Sequence, residues 1–336
     1  MRRLQAITNK LQILTTALSG AVVILVSMYF GIAFWYELPV SNSLKFTFCA
    51  LWFVYVLITL VTLFSRYRRI SLTVFTTISI AFVAWWMNIA PSNNRVWADD
   101  VAHTVTGRVS GDQITLYNVR NFEWRGLDEY DARWETREYD LSTLNSVDLF
   151  LSTWGNLDIA HTLISFGFSN GDYVTFSVEI RKEHDESFSE VAGFFKQYEV
   201  ALIAADEGDI IHTRTNIRHE DVSRYRVNLT PEQRKSLFLS YMQRGNELAE
   251  TPSFYNTITA NCTTVVFDMI RLIVPSLPLD YRILVSGRLP SYIYDIGGFG
   301  HELSLREITN QSSITQRAQA SARENFSHEI RAPKAK

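Results

Sequence analysis

Of 336 residues only two are cysteines, and one of them stands where a thiol can react. Cys262 lies in "FYNTITANCTTVVFDMIRLIV", residues 254–274, just ahead of an apolar run that reads as a helix, with Pro275 beyond its end. Thr259 or Asn261 is the expected cap. At such an edge the unpaired backbone N–H groups and the helix dipole favour negative charge. They would lower the thiol pKa, raise the nucleophilic thiolate fraction and steady an oxyanion on a carbonyl under attack. The plainer reading is a cysteine packed quietly under a sheet.

A cysteine nucleophile needs a base. Of seven histidines, His103, His184, His212, His219, His301 and His328 fall in a linker, in charged loops or near the tail. His161 differs, because "IAHTLISFGF" sets it at the start of an apolar strand, a position that also suits a satisfied core histidine. Without HExxH or a second nearby cysteine, no metal or other cofactor is expected. A formal net charge of -3 gives no reason to expect nucleic acid as a partner.

The elements that must carry these residues can be read in outline. "IAHTLISFGFSNGDYVTFSVEIRKE" is a hairpin about Asn170 and Gly171, and "GDQITLYNVRNFEWRG" alternates as a half-buried strand does. "TPEQRKSLFLSYMQRGNELAE" is a helix with a capping box of Thr230 and Gln233 and with Pro231 in its first turn. "SFSEVAGFFKQYE" offers a second box, Ser187 and Glu190. Residues 200–229 read as strands joined by charged turns. The outer part is therefore α+β, an antiparallel sheet with helices. Residues 91–108 read as a linker, residues 109–309 as the domain, and residues 310–336 as a polar, disordered tail.

Ahead of this domain, residues 11–36, 44–64 and 70–90 are apolar runs, near the ~20 residues needed to cross ~30 Å of hydrocarbon. Residues 1–90 are thus expected to be an anchor of three transmembrane helices. Arg2, Arg3 and Lys10 precede the first run, and Arg66, Arg68 and Arg69 lie between the second and third. The positive-inside rule then puts the N-terminus in the cytoplasm and everything after residue 91 outside. In a bacterium this describes a multi-pass inner-membrane protein with a periplasmic domain. Structural cysteines in that oxidising compartment usually pair. Cys49 lies within a span and cannot reach Cys262, so Cys262 is either inert or kept for its reactivity.

The blocks "NVRNFEWR", "YDLSTLNSVDLFLSTWGN", "IAHTLISFGFSNGDYVTFSVEIRKE", "AGFFKQYEV", "RTNIRHEDVSRYR" and "FYNTITANCTT" resemble, in this order, the Lnb N-terminal periplasmic domain family, over roughly residues 109–298. The resemblance implies a circularly permuted relative of papain-like and NlpC/P60 thiol enzymes, in which the histidine precedes the cysteine. His161 matches the family's histidine block, and Asn261, Cys262, Thr263 and Thr264 match its Asn-Cys-Thr-Thr block. The strand after the histidine should supply the group that orients it, with Ser177 or Glu179 as the polar choices. A two-residue turn would pair His161 with Ile180 and send Glu179 to the far face, whereas a three-residue loop would bring Glu179 round. Arg181, Arg214 and Arg218 fall in family-like blocks and suit carboxylates or phosphates, unless they make internal ion pairs. Tyr255 and Asn256 are placed to shape the pocket, with Asn261 and Thr263 beside the nucleophile. In Lnb-type lipoprotein acyltransferases the domain precedes the membrane part; here the spans come first.

These residues lead to an expected membrane-anchored thiol acyltransferase or hydrolase acting on a membrane lipid or lipoprotein. A peptidoglycan amidase or cysteine peptidase, and a non-catalytic envelope scaffold, are the alternatives.

Overall fold

A computed structural model describes residues 2–300 and 302–333, so His301 and the last three residues lie outside the description. The chain divides into two compact units, residues 1–91 with 195–197, and residues 92–194 with 198–336. The first unit holds helices α1 (Arg2–Glu37), α2 (Asn42–Thr62) and α3 (Arg68–Asn88). Each contains a stretch long and apolar enough to cross a membrane, Asn9–Glu37, Asn42–Thr62 and Arg68–Asn88. Most of their large side chains face outward, such as Leu25 and Phe46, which is how a helix meets lipid rather than water.

The second unit is built on strands β1 (Thr106–Ser110), β2 (Gln113–Arg120), β3 (Glu123–Trp124), β4 (Tyr130–Asp131), β5 (Trp134–Asp140), β6 (Leu144–Thr153), β7 (Ala160–Phe168), β8 (Tyr173–Arg181), β9 (Glu199–Ala205) and β10 (Asp221–Arg226). Eight of them form one sheet in the order β1-β2-β9-β8-β7-β6-β10, with β5 also on β2. Every pairing in it is antiparallel except the short β2–β9 contact. Its helices are α4 (Glu207–His212), α5 (Pro231–Glu250), α6 (Thr264–Ile273), α7 (Leu289–Asp295), α8 (Leu305–Ser312), α9 (Thr315–Ala320) and α10 (Phe326–Glu329).

Strand alternation gives the sheet two cores. Ile164, Phe166 and Phe168 of β7 join Val174, Phe176 and Val178 of β8 under Phe238 and Tyr241 of α5 and Val266 of α6. Leu163, Ala201 and Ile203 face the other way, against Ile210 and Ile211 of α4 and the C-terminal helices. As expected, α5 opens on a complete capping box of Thr230 and Gln233.

Four local expectations need correction. The Ser187 box does not start an α-helix; only a short 3₁₀ turn, Ala192–Phe194, forms there. Gly193 lies so close to Thr257 that a Cβ would sit 2.5 Å from its Oγ1, so this segment follows its neighbour and not its own helical pattern. Between β9 and β10 the chain makes α4 and a π-helical turn, Thr213–Ile217, where charged turns were expected. Residues 92–108 join the outer unit instead of linking to it: Val105 is fully buried and its N–H reaches the Leu202 carbonyl at 2.8 Å.

The tail is ordered as well. Phe326 and Ile330 are buried in the second core, and Arg331 pairs with Asp148 and Glu207, whose side chains have no solvent exposure. A carboxylate so buried is tolerable only when paired. Arg331→Ala should therefore destabilise the outer unit by about 3 kcal/mol, seen as a clear drop in the melting temperature of the purified chain. An unchanged melting temperature would mean the tail contributes nothing to the fold.

Candidate active site

The site begins where two strands part. The β7–β8 ladder runs from Gly167↔Tyr173 to Leu163↔Ser177 and stops. Beyond that point β7 stays on β6 and β8 stays on β9, which leaves one edge of residues 160–162 without a strand partner. Ser286 fills part of the gap: its Oγ accepts from the Ala160 N–H at 2.8 Å and donates to the Ala160 carbonyl at 2.7 Å. The Thr162 N–H, on the same edge two residues on, points instead at the sulfur of Cys262.

Cys262 is half-buried at the start of α6. Asn261 caps the helix, as expected, and its Oδ1 accepts from the N–H of Thr263 at 2.8 Å and of Thr264 at 2.9 Å. This corrects the picture of free helix-end amides. Those two donors are occupied, and the Cys262 N–H is the backbone donor that makes no hydrogen bond among the described residues.

The imidazole comes from the strand and its partner from the hairpin. The connection between β7 and β8 has three loop residues, Ser169 to Gly171, with Phe168 hydrogen-bonded to Asp172 and Gly171 at φ 93°. His161, Ser177 and Glu179 therefore share one face. His161 Nε2 lies 3.1 Å from Glu179 Oε1 and 2.7 Å from Ser177 Oγ, and Ser177 Oγ donates to the same carboxylate at 2.7 Å. With that carboxylate accepting, Nε2 carries a proton and Nδ1 is the ring nitrogen left to share one with the thiol.

Electrostatics couple the pair. Burial raises the Cys262 pKa, but His161 beside it and the Thr162 N–H bring it below its ordinary value. Burial and then Arg214 pull His161 down, yet Glu179 and the Cys262 thiolate outweigh them and push it up to about 9. Glu179 is likewise held well below the carboxylate range: burial opposes its charge, but His161, Arg214 and Ser177 prevail. Each group thus favours the charged form of the other, a thiolate on Cys262 and a proton on the His161 ring.

The arginines divide by role. Arg214, 6 % exposed, reaches Glu179 at 3.1 Å and Glu220 at 3.2 Å, and Glu220 in turn accepts from Ser152. It holds the orienting carboxylate and does not face a substrate. Arg181 spends its donors on the carbonyls of Val101 and Ala102 and on Asn93, and stacks over Trp97. Neither has the substrate-binding place expected of it. Arg218 does remain open to solvent and has no ion-pair partner among the described residues. Crowding and the Arg214 charge lower its pKa, with Glu179 and Glu220 the nearby opposite charges. Tyr255 is half-buried near the thiol, and burial followed by the Cys262 charge keeps its phenol protonated. Asn256 closes the 256–260 turn, with Oδ1 accepting from Ile258 and Thr259.

Ser286, Glu220 and Ser152 had no signature in the sequence, since each is a common residue given a task only by its neighbours.

Residues 130–287 match the family model of the Lnb N-terminal periplasmic domain, a span that holds His161, Glu179, Arg214, Cys262 and Ser286. With the three apolar helices ahead of it, this marks a membrane-associated protein with a periplasmic domain. No curated protein and no solved structure matches the chain.

The pair should declare itself in alkylation of the full chain by iodoacetamide. The rate should rise through a thiol pKa below the unperturbed ~8.5 and stay high past pH 9, because loss of the imidazolium proton leaves the thiolate charged. His161→Ala removes the main group opposing burial and leaves only the hydrogen bonds from Thr162 and Thr263, so the midpoint should rise and the rate at pH 7 should fall at least tenfold. A midpoint indifferent to His161 would disprove the coupling. Glu179→Gln should lose the carboxylate that orients and charges the imidazole, lowering the alkylation rate at pH 7, and should lower the melting temperature because Arg214 keeps only Glu220 as its ion-pair partner.

Proposed function

We propose that this protein is a membrane-anchored, cysteine-dependent acyltransferase or hydrolase working on acyl groups of lipids or lipoproteins at the periplasmic face of the inner membrane. The observation that carries the reading is the line Cys262, His161, Glu179, in which a half-buried carboxylate orients an imidazole set against a thiol of lowered pKa. The three apolar helices support a substrate found in or at the bilayer, and the basic residues around Arg66, Arg68 and Arg69 support a cytoplasmic N-terminus.

The reaction then runs in two halves. The Cys262 thiolate attacks an ester or amide carbonyl and forms a C–S bond, with the Cys262 N–H directed at the oxyanion. The intermediate collapses by breaking the carbonyl bond to the leaving group, which takes its proton from the His161 imidazolium. Neutral His161 next accepts a proton from water or an amine as that nucleophile attacks the thioester, and the thiolate departs. Arg218 is the charged group left to hold an anionic part of the donor or acceptor.

Acid-quenched protein from growing cells should show a hydroxylamine-labile adduct on Cys262 with the mass of an acyl chain, absent from Cys262→Ala. Peptide fragments in its place would move the assignment to a peptidase. The absence of any adduct, joined to an unharmed phenotype in the alanine strain, would leave a scaffold.

A further inference from the structure

Behind the nucleophile lies a cavity of ≈ 220 Å³ on the α5 and α6 side of the sheet. Ile164 of β7, Val266 and Ile270 of α6, and Leu289 and Ile293 of α7 are among its mostly apolar walls, with Asn228, Gln233, Thr162 and Thr263 the polar residues there. It is partly open, and apolar walls left uncovered lose the contacts that a close-packed interior would give them. Here it adjoins the reacting atoms. Thr162 and Thr263 both line it, their hydroxyls 3.1 Å apart, and Thr263 Oγ1 is 3.9 Å from Cys262 Sγ. The residue whose backbone N–H points at the sulfur therefore turns its side chain into the cavity.

We infer that this cavity receives the hydrocarbon chain of the acyl group carried on Cys262, with the Thr162–Thr263 pair as its threshold. The inference rests on the thiol-ester reading and narrows it, because a mostly aliphatic pocket gives a peptidyl group few partners for its amides. A void of about 150 Å³ is enough for a six-carbon ring, so this one has room for about eight carbons of chain. Each methylene buried there should favour the acylating transition state by up to about fourfold, the equivalent of ~0.8 kcal/mol.

The test uses the full chain in phospholipid nanodiscs and p-nitrophenyl esters of two to ten carbons. The thiolate takes the acyl group, p-nitrophenolate leaves, and intact mass reads the thioester on Cys262. The acylation rate should climb with chain length and level off near eight carbons. An octanoyl ester with a diazirine near its tail, once loaded on Cys262 and photolysed, should cross-link to residues 289–298 or to α6. Ile270→Phe and Ile293→Phe, which fill the cavity from two different helices, should each lower the octanoyl-to-acetyl ratio at least tenfold. Cross-links that fall on residues 187–194 or on Tyr255, or a flat chain-length profile with Cys262 still acylated, would overturn the chain site and leave the thiol chemistry standing. If no ester acylates Cys262 above the Cys262→Ala background, the thiol reading fails and the chain site falls with it.

Discussion

A strand side chain can face only one of two ways, and the hairpin count at residues 169–171 decides which face Glu179 takes. One residue fewer in that loop would send the carboxylate into the aromatic core beside Phe176 and leave His161 without its orienting partner. The chain also needs β7 and β8 to separate after Leu163↔Ser177, because a continued ladder would use the Thr162 N–H that now meets the thiol. Register and separation work together. The first puts three polar groups on one face, and the second leaves an edge where a residue from elsewhere in the chain can join them. Ser286 keeps that edge from becoming a pair of unsatisfied buried groups at Ala160.

Bringing these groups together puts charge where water is scarce. Glu179 is 21 % exposed, His161 11 % and Arg214 6 %, and each charged form would be costly alone. The arrangement is tolerable because the signs alternate from thiolate to imidazolium to Glu179 to Arg214 to Glu220. Arginine suits the fourth place better than lysine, since its guanidinium spans two carboxylates at once and stays charged when buried. Arg214 also sets a limit on the imidazolium. Its charge pulls the His161 pKa down while Glu179 holds it up, so the two together set how readily the ring gives up its proton.

The residues of the candidate site with chemistry of their own were visible in the sequence as candidates. The three apolar runs stand out by composition, whereas Cys262 ahead of an apolar helix and His161 at the head of a strand each kept an inert reading until the family resemblance joined them. Glu179 was undecided, because an Asn-Gly pair is compatible with both loop lengths and only tertiary packing selects between them. Arg181 and Arg214 were read as substrate contacts and prove to be internal, since a sequence shows a guanidinium but not the carbonyls and carboxylates that surround it. The Thr213–Ile217 turn that delivers Arg214 was hidden for a different reason: charged residues read as a solvated loop unless their partners are known. The tail misled in the same way. Its apolar residues are few, yet Ile314, Ala318, Phe326 and Ile330 are all buried. Sparse anchors serve when the surface they meet is already formed.

Chain order bears on what the site can reach, not on what it is. His161, Glu179, Cys262 and Ser286 all belong to the outer unit, and no group from the three apolar helices is needed to set the tautomer, lower the thiol pKa or line the cavity. Moving the spans from one end of the domain to the other therefore leaves the nucleophile intact. On the function proposed above, what the spans would supply is concentration: a domain tethered to a bilayer meets its lipids at a high effective concentration, so modest affinity for a headgroup would suffice. A tethered enzyme gains most from recognising the part of its substrate that the membrane does not already present. Under the proposed reading that part is the acyl chain once lifted from the bilayer, and an apolar cavity near the thiol would offer it an environment in place of the one it leaves.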